Sequence, residues 1–459
     1  MAEMNAVAPY RPAGTLDPAT ALAPYRGPWN RRLAAHLLRR AGFSGTPAEI
    51  ARLAGSSLGD AVDALFLLPA VGSLPQAPSD LGDDGPVVSG PQRQAALITA
   101  QTWWLERMIA TPAPLQEKMT LFWHGHFATA MGTKGIDSAD ALRQNELFRG
   151  SALGNIRELT LAVSQDPAML RYLDNFRSAR AHPNENYARE LMELFALGIG
   201  NYTEHDVRES ARAFTGWTID RGTRAFALDP RRHDDGPKTF LGRGGNFDGS
   251  DIVEIIFEQP AAERWFARKL IRYFVYDDPE PELVDAFAAV IRKHDFNLQP
   301  SLSLLLRSNV FYSGRAYRAL VKSPVEFVAG VHRLLGIERI NPAELGALGR
   351  MGQVLFRPPS VKGWDGGAAW LNSQSLLARE NFASALLDSQ PLPQGEGWPP
   401  PEAAPGVAAR TFVETILQGD ASPAALAGLE AYLDGGGLPR ERLRGAAYLT
   451  LAMPAFQLN

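Results

Sequence analysis

Apolar residues return at helical spacing along most of the chain, in short segments that glycine or proline closes. In WNRRLAAHLLRRAGF, residues 29–43, Leu33, Leu37 and Ala41 fall on one face and Gly42 supplies a stop. Pro114 suits the first turn of a helix, and Thr203 with Asp206, like Ser323, Pro324 and Glu326, spells a capping box that starts another. Each amphipathic segment must bury its stripe against a neighbour, so the pattern predicts an all-α, multi-helix globule. The interruption is 217–249, where aromatic and β-branched residues alternate with Gly and Pro; a small inserted β-hairpin is expected there.

The punctuation divides the chain. Residues 1–28, rich in Pro and Ala, read as an extended N-terminal arm, 29–387 as the main helical domain, 388–405 (DSQPLPQGEGWPPPEAAP) as a loop or linker, and 406–459 as C-terminal helices packed on the main domain. A further loop falls at 67–91, and no repeat of fixed period is found. Hydrophobic residues at 45% and charged residues at 21% place the chain among globular proteins and away from disorder.

Charge and cysteine content exclude several functions. The 46 basic and 50 acidic residues nearly cancel, so no global field favours nucleic acid or anionic lipid. With no Cys there is no disulfide, thiolate nucleophile or Cys-bound zinc, and any metal needs His or carboxylate ligands. No apolar run reaches the roughly 20 residues of a membrane span. The first thirteen residues lack the basic and apolar regions of a secretion signal, which makes the cytoplasm the default expectation.

Four groups of residues invite a chemical reading. His124 and His126 in FWHGHF chelate one divalent ion if the backbone is extended; on a helix they point about 200° apart, and capping or packing is the alternative. The helix expected after Pro183 turns Tyr187, Ala188, Leu191, Leu194 and Phe195 to the core and Glu185, Asn186, Arg189, Glu190 and Glu193 the other way. That polar side is either a solvated i,i+4 ladder or the wall of a cleft. His233, Asp234 and Lys238 fall on the expected hairpin, as loop ligands or as parts of a turn. Among the tryptophans, Trp217 and Trp364 follow glycines that permit close backbone approach, and Lys322 and Lys362 precede structural signals. The glycines at 242–249 lack the context of a phosphate loop.

Several segments together carry a resemblance: HLLRRAGF at 36–43, LFWHGHFAT at 121–129, HPNENYARELMELFALGIGNYTEHDVRESARAFTGW at 182–217, KTFLG at 238–242, LVKSPVEFV at 320–328 and VKGW at 361–364. In this the chain resembles the bacterial family catalogued as domain of unknown function 1800. The resemblance implies an all-helical architecture. It also implies a partner similar to alkaline phosphatases and sulfatases, encoded nearby, and export alongside it. Because His182, Asn184, Asn186, Arg189, Glu190 and Glu193 belong to its longest motif, it favours the cleft over the solvated ladder. The expectation is then a hydrolase or lyase acting on a polar, glycan-like or anionic substrate. His126, His182, Glu190, Glu193 and His233 would supply acid–base chemistry or hold a divalent metal with His124. Asn184, Asn186, Arg189, Trp217, Lys238, Lys322 and Trp364 would bind substrate. The alternative is a non-enzymatic binding or escort protein for the phosphatase-like partner.

Overall fold

Both capping boxes expected from the sequence form, and a further side-chain cap starts the first long helix. Asn30 caps the Arg31–Ala41 helix by accepting from the Leu33 amide. Thr203 and Asp206 cap Glu204–Ala213 reciprocally, and Ser323 and Glu326 do the same for Pro324–Leu335. Pro114 and Pro324 sit in first turns, where the missing N–H costs nothing. The computed structural model describes residues 17–68, 75–78, 89–436 and 438–459. Across them the chain is mainly helical, and none of the helices is long and apolar enough to cross a membrane.

The helices bury their stripes in two apolar cores. One gathers the early helices with most of 148–316, including Phe195, Phe214, Phe266 and Phe274. The other gathers the Gly90–Ala110 helix with those after residue 324, including Trp104, Phe327, Phe382 and Phe412. The Pro114–His126 helix lies on the seam: Met119, Phe122 and Trp123 enter the first core and Leu121 the second.

A helix enclosed on every side must find partners for its polar residues, because an unpaired buried polar group costs a few kcal/mol. Glu117 accepts from Trp104 Nε1 at 3.0 Å, Arg107 Nε at 2.7 Å and Arg149 Nε at 2.6 Å. Burial opposes its ionisation, but Arg149 and Arg107 outweigh that and hold its pKa below the ordinary carboxyl value. Lys118 pairs with Glu326 of the helix across the seam. His124 and His126 close the series.

The inserted β region holds two hairpins. Strands β1 (Trp217–Ile219) and β2 (Phe226–Leu228) pair antiparallel, and β3 (Lys238–Phe240) pairs with β4 (Arg243–Gly245). Residues 1–16 of the expected arm lie outside the described residues, but 17–28 lie against the fold. Ala21 is buried, Leu22 and Tyr25 pack on the first core, and Tyr25 donates its backbone N–H to Arg307 O at 2.8 Å. In the 388–405 segment Trp398 is buried, 6.2 Å from Phe412 between ring centroids, which fastens the segment to the second core. Of the expected loop at 67–91, residues 69–74 and 79–88 lie outside the described residues.

The helix after Pro183 departs from simple periodicity. Asn184 caps Glu185–Glu190, and Leu191–Ala196 continues as a π-helix with the Leu197 amide bonded to Met192 O at 2.9 Å. The wider turn rotates Met192 and Ala196 into the core with Tyr187, Leu191 and Phe195, while Leu194 is only half-buried.

Candidate functional site

Between the two cores lies a cavity of about 260 Å³ whose wall joins three of the motif segments. Leu121, Phe122, Gly125 and His126 come from the first, Leu320, Val321, Ser323 and Glu326 from the second, Lys362 and Trp364 from the third. Lys269, Arg272 and Tyr273 of the Pro260–Phe274 helix complete one side. The glycine of the third segment lets it meet the first. Gly363 has φ of +80°, and a Cβ there would collide with the Gly125 carbonyl oxygen. That close crossing sets the Trp364 ring 5.6 Å from His124.

His126 and Lys269 are the chemically distinctive pair in this wall. Nε2 of His126 lies 2.9 Å from Phe195 O, which can only accept, so Nε2 carries the proton. Nδ1 is therefore an acceptor and takes a hydrogen bond from Lys269 Nζ at 3.0 Å. The π-helix provides both outer acceptors, since Lys269 Nζ also reaches Leu194 O at 3.3 Å. Burial, then the Lys269 charge, hold the His126 pKa well below the ordinary imidazole value, so the ring stays neutral. Burial, with Arg272 adding to it, pushes the Lys269 pKa down to about 7. A partly exposed amine that is half deprotonated near neutral pH can serve as a base or a nucleophile.

Around this pair the cavity offers aromatic faces and a cation. Trp364 is half-exposed, and Trp370 and Tyr273 also line the wall. Arg272 is exposed and forms no ion pair among the described residues, whereas Lys362 is engaged with Asp365 at 2.6 Å. Asp277 and Glu326 supply carboxylates, Glu326 being held by Lys118 and by Asn459 Nδ2 at 3.0 Å.

The His124–His126 metal chelate is corrected by the backbone. Both residues are on the continuous Pro114–His126 helix, so their rings diverge. His124 Nε2 accepts from the Phe356 amide at 3.0 Å, and burial holds its pKa down to about 3. Among the described residues, no three His, Cys, Asp or Glu side chains gather as a metal site.

The expected convergence of imidazoles with the carboxylate side of the 185–196 helix does not occur around this cavity. Arg189 forks onto Glu204 at 2.6 and 2.8 Å and reaches Glu185 at 3.4 Å. Glu193 accepts from Tyr202 Oη at 3.2 Å, and burial, then Glu193, raise the pKa of half-buried Glu190. Asn184 spends its side chain on the Asn186 amide and Leu173 O, and Asn186 and His182 are exposed. This side is a local ladder, joined to the cavity, among the described residues, through the backbone carbonyls of Leu194 and Phe195.

The remaining expected residues also find local partners. His233 Nδ1 donates to Thr215 O at 2.8 Å, and Lys238 Nζ donates to Asp234 O and Gly236 O, tying the loop between the hairpins. Trp217 is buried against Phe214 and Phe226. Lys322 is buried with Nζ on Phe456 O at 2.6 Å. Of the residues singled out in the sequence, His126, Lys362 and Trp364 line the cavity. Lys269, Arg272 and Tyr273 lie outside every motif segment, although their i, i+3, i+4 spacing in ARKLIRY marks a single helix face.

The fold and the cavity define a mainly helical protein with a compact polar site between two cores. The chain belongs to the family described as "Protein of unknown function (DUF1800)", which matches residues 36–458. No curated protein and no solved structure matches it.

Proposed function

We propose that the chain is an enzyme of hydrolase or lyase type, acting on an anionic, glycan-like substrate in the cavity between the cores. Lys269 is its general base, His126 positions the amine, Arg272 receives the anionic group, and Trp364 offers a stacking face for the sugar ring. The observation that carries this reading is the meeting of three distant motif segments around an amine whose pKa lies near 7. Lys269 donates to two fixed acceptors, so its base strength and direction are set before substrate arrives. In a lyase reaction the deprotonated amine removes the proton beside a carboxylate, the C–H electron pair becomes the new C=C bond, and the C–O bond at the next carbon breaks with its pair on the leaving oxygen. In hydrolysis the amine takes a proton from water as the water oxygen bonds to the ester or glycosidic carbon and the C–O bond to the leaving group breaks.

Uronate oligosaccharides and aryl ester and glycoside substrates test this. Turnover is expected to rise through a pKa near 7, to fall at least a hundredfold in Lys269→Met, and to shift its pH profile in His126→Gln. Turnover unchanged in both variants, or no turnover on any of these substrates, overturns the assignment.

A further inference from the structure

A second and larger hollow, about 1270 Å³, opens where the β1–β2 hairpin faces the 131–138 loop. Seven arginines line it against three aspartates, in a chain whose charges otherwise nearly cancel. Among the described residues, Asp137 is the one lining aspartate that pairs with these arginines, and Asp140 beside it pairs with Arg171 and Arg224, so cations still outnumber carboxylates in the cleft. Asp220 accepts from the Gly222 and Thr223 amides at 3.0 and 2.8 Å to form the hairpin turn. Asp229 accepts from the Arg231 amide at 3.0 Å. Asp137 caps the Ser138–Gly150 helix and holds Arg224.

Arg177, Arg221, Arg232 and Arg357 have no carboxylate partner among the described residues, and two of the four are held in place by backbone. Arg232 Nη2 donates to Phe176 O at 3.1 Å and Ser178 O at 3.0 Å. Arg357 Nε donates to Met131 O at 3.2 Å, and Gly132, with φ of +84°, leaves room for its guanidinium. The Arg177 guanidinium lies 5.0 Å from the Phe176 ring centroid. The forks thus approach one volume from a 3₁₀ turn, a hairpin and a separate loop.

We propose that this cleft binds an oligoanion carrying several closely spaced sulfate or phosphate groups on a non-aromatic backbone. A tetrahedral oxyanion presents oxygens in several directions and suits guanidinium forks arriving from different elements; a carboxylate presents two coplanar oxygens to one fork. The volume exceeds the roughly 300–1,000 Å³ of ordinary small-molecule pockets, which fits an oligomer. Phe176, the aromatic side chain of the lining, is flanked by Arg177 and Arg171 and gives no open platform for base stacking, so single-stranded nucleic acid is disfavoured.

Titration calorimetry of the full chain at low salt tests the proposal with inorganic tripolyphosphate and a fully sulfated tetrasaccharide, which separate the phosphate and sulfate sources. Tetragalacturonate and a single-stranded oligothymidylate are the comparators. At least one of the first two probes is expected to bind, and to weaken by about tenfold or more in Arg232→Gln/Arg357→Gln. The exposed pair Arg177→Ala/Arg221→Ala, which removes no hydrogen bond to the backbone, is expected to weaken binding to a similar extent without lowering Tm. Binding is expected to survive in Lys269→Met, because that residue lines the other cavity. The proposal is overturned if neither probe binds, if both double variants bind like the unsubstituted chain, or if either comparator binds as tightly and is weakened equally by the double variants, which leave the other cavity untouched.

Discussion

Asp166 shows how burial in this molecule makes a single carboxyl pH-sensitive. It caps the Pro167–Tyr172 helix through the Met169 amide at 3.0 Å and accepts from Gln144 Nε2 at 2.7 Å. Burial, with nearby Asp140 adding to it, outweighs those donors and pushes its pKa up to about 7. An acid raised in the folded state contributes stability that is complete below its unfolded pKa, about 3.9, and is lost as pH rises through the folded value. Asp166→Asn keeps an acceptor for the cap but cannot ionise. The stability of the unsubstituted chain relative to this variant should therefore fall by about 1.4 kcal/mol per pH unit from pH 5 to 7, then level off. Urea denaturation across that range measures it, and a constant difference contradicts the account.

The two motif glycines differ sharply at the scale of the elements that carry them. Gly125 is inside the Pro114–His126 helix, and a methyl group added there would sit 3.8 Å from the Trp364 ring, an ordinary contact distance. Gly125→Ala is therefore expected to be neutral or to gain about 0.5–1 kcal/mol from helix propensity. Gly363→Ala meets both the left-handed backbone and the Gly125 carbonyl. It should cost about 2–5 kcal/mol and separate the segments bearing His126 and Trp364. Thermal melts compare the two, and a Gly363→Ala protein as stable as the unsubstituted chain removes the crossing from the explanation of the motif.

The π-helix at Leu191–Ala196 shows what periodicity alone misses at this scale. Regular spacing assigns Leu194 to the core, but the i+5 turn gives Met192 that place and leaves Leu194 half-buried. It also presents the carbonyls that orient His126 and Lys269. Nothing in LMELFA by itself favours the wider turn over the ordinary one.

For the whole molecule, the C-terminal helices complete the second core. A chain ending at Ser389 loses buried Phe412, Ile416, Leu417, Leu433 and Leu451, and it uncovers Phe382 and Leu386. It also deprives buried Lys322 of its acceptor at Phe456. Such a chain should lose its sharp calorimetric transition and bind hydrophobic dye, because no remaining surface covers the exposed apolar face. A cooperative melt at the original temperature would show the core to be complete without them.

Capping boxes, the mainly helical class with its β insertion, and the buried faces of the Arg31–Ala41 helix and, Leu194 apart, of the helix after Pro183 were legible in the chain order. Caps, proline at the first turn and apolar spacing act within about four residues, where chain order and space coincide. Tertiary structure alone decided which polar residues distant in the chain meet. The His124–His126 pair reads as a chelate until both residues lie on one enclosed helix, and the Arg189 ladder reads as a cleft wall until Glu204 claims the guanidinium. Lys269 joins His126 across 143 positions, and Lys118 joins Glu326 across 208. Such contacts form only when separate helices pack, so local pattern cannot encode them; packing both selects the partners and lowers the polarity that moves their pKa values.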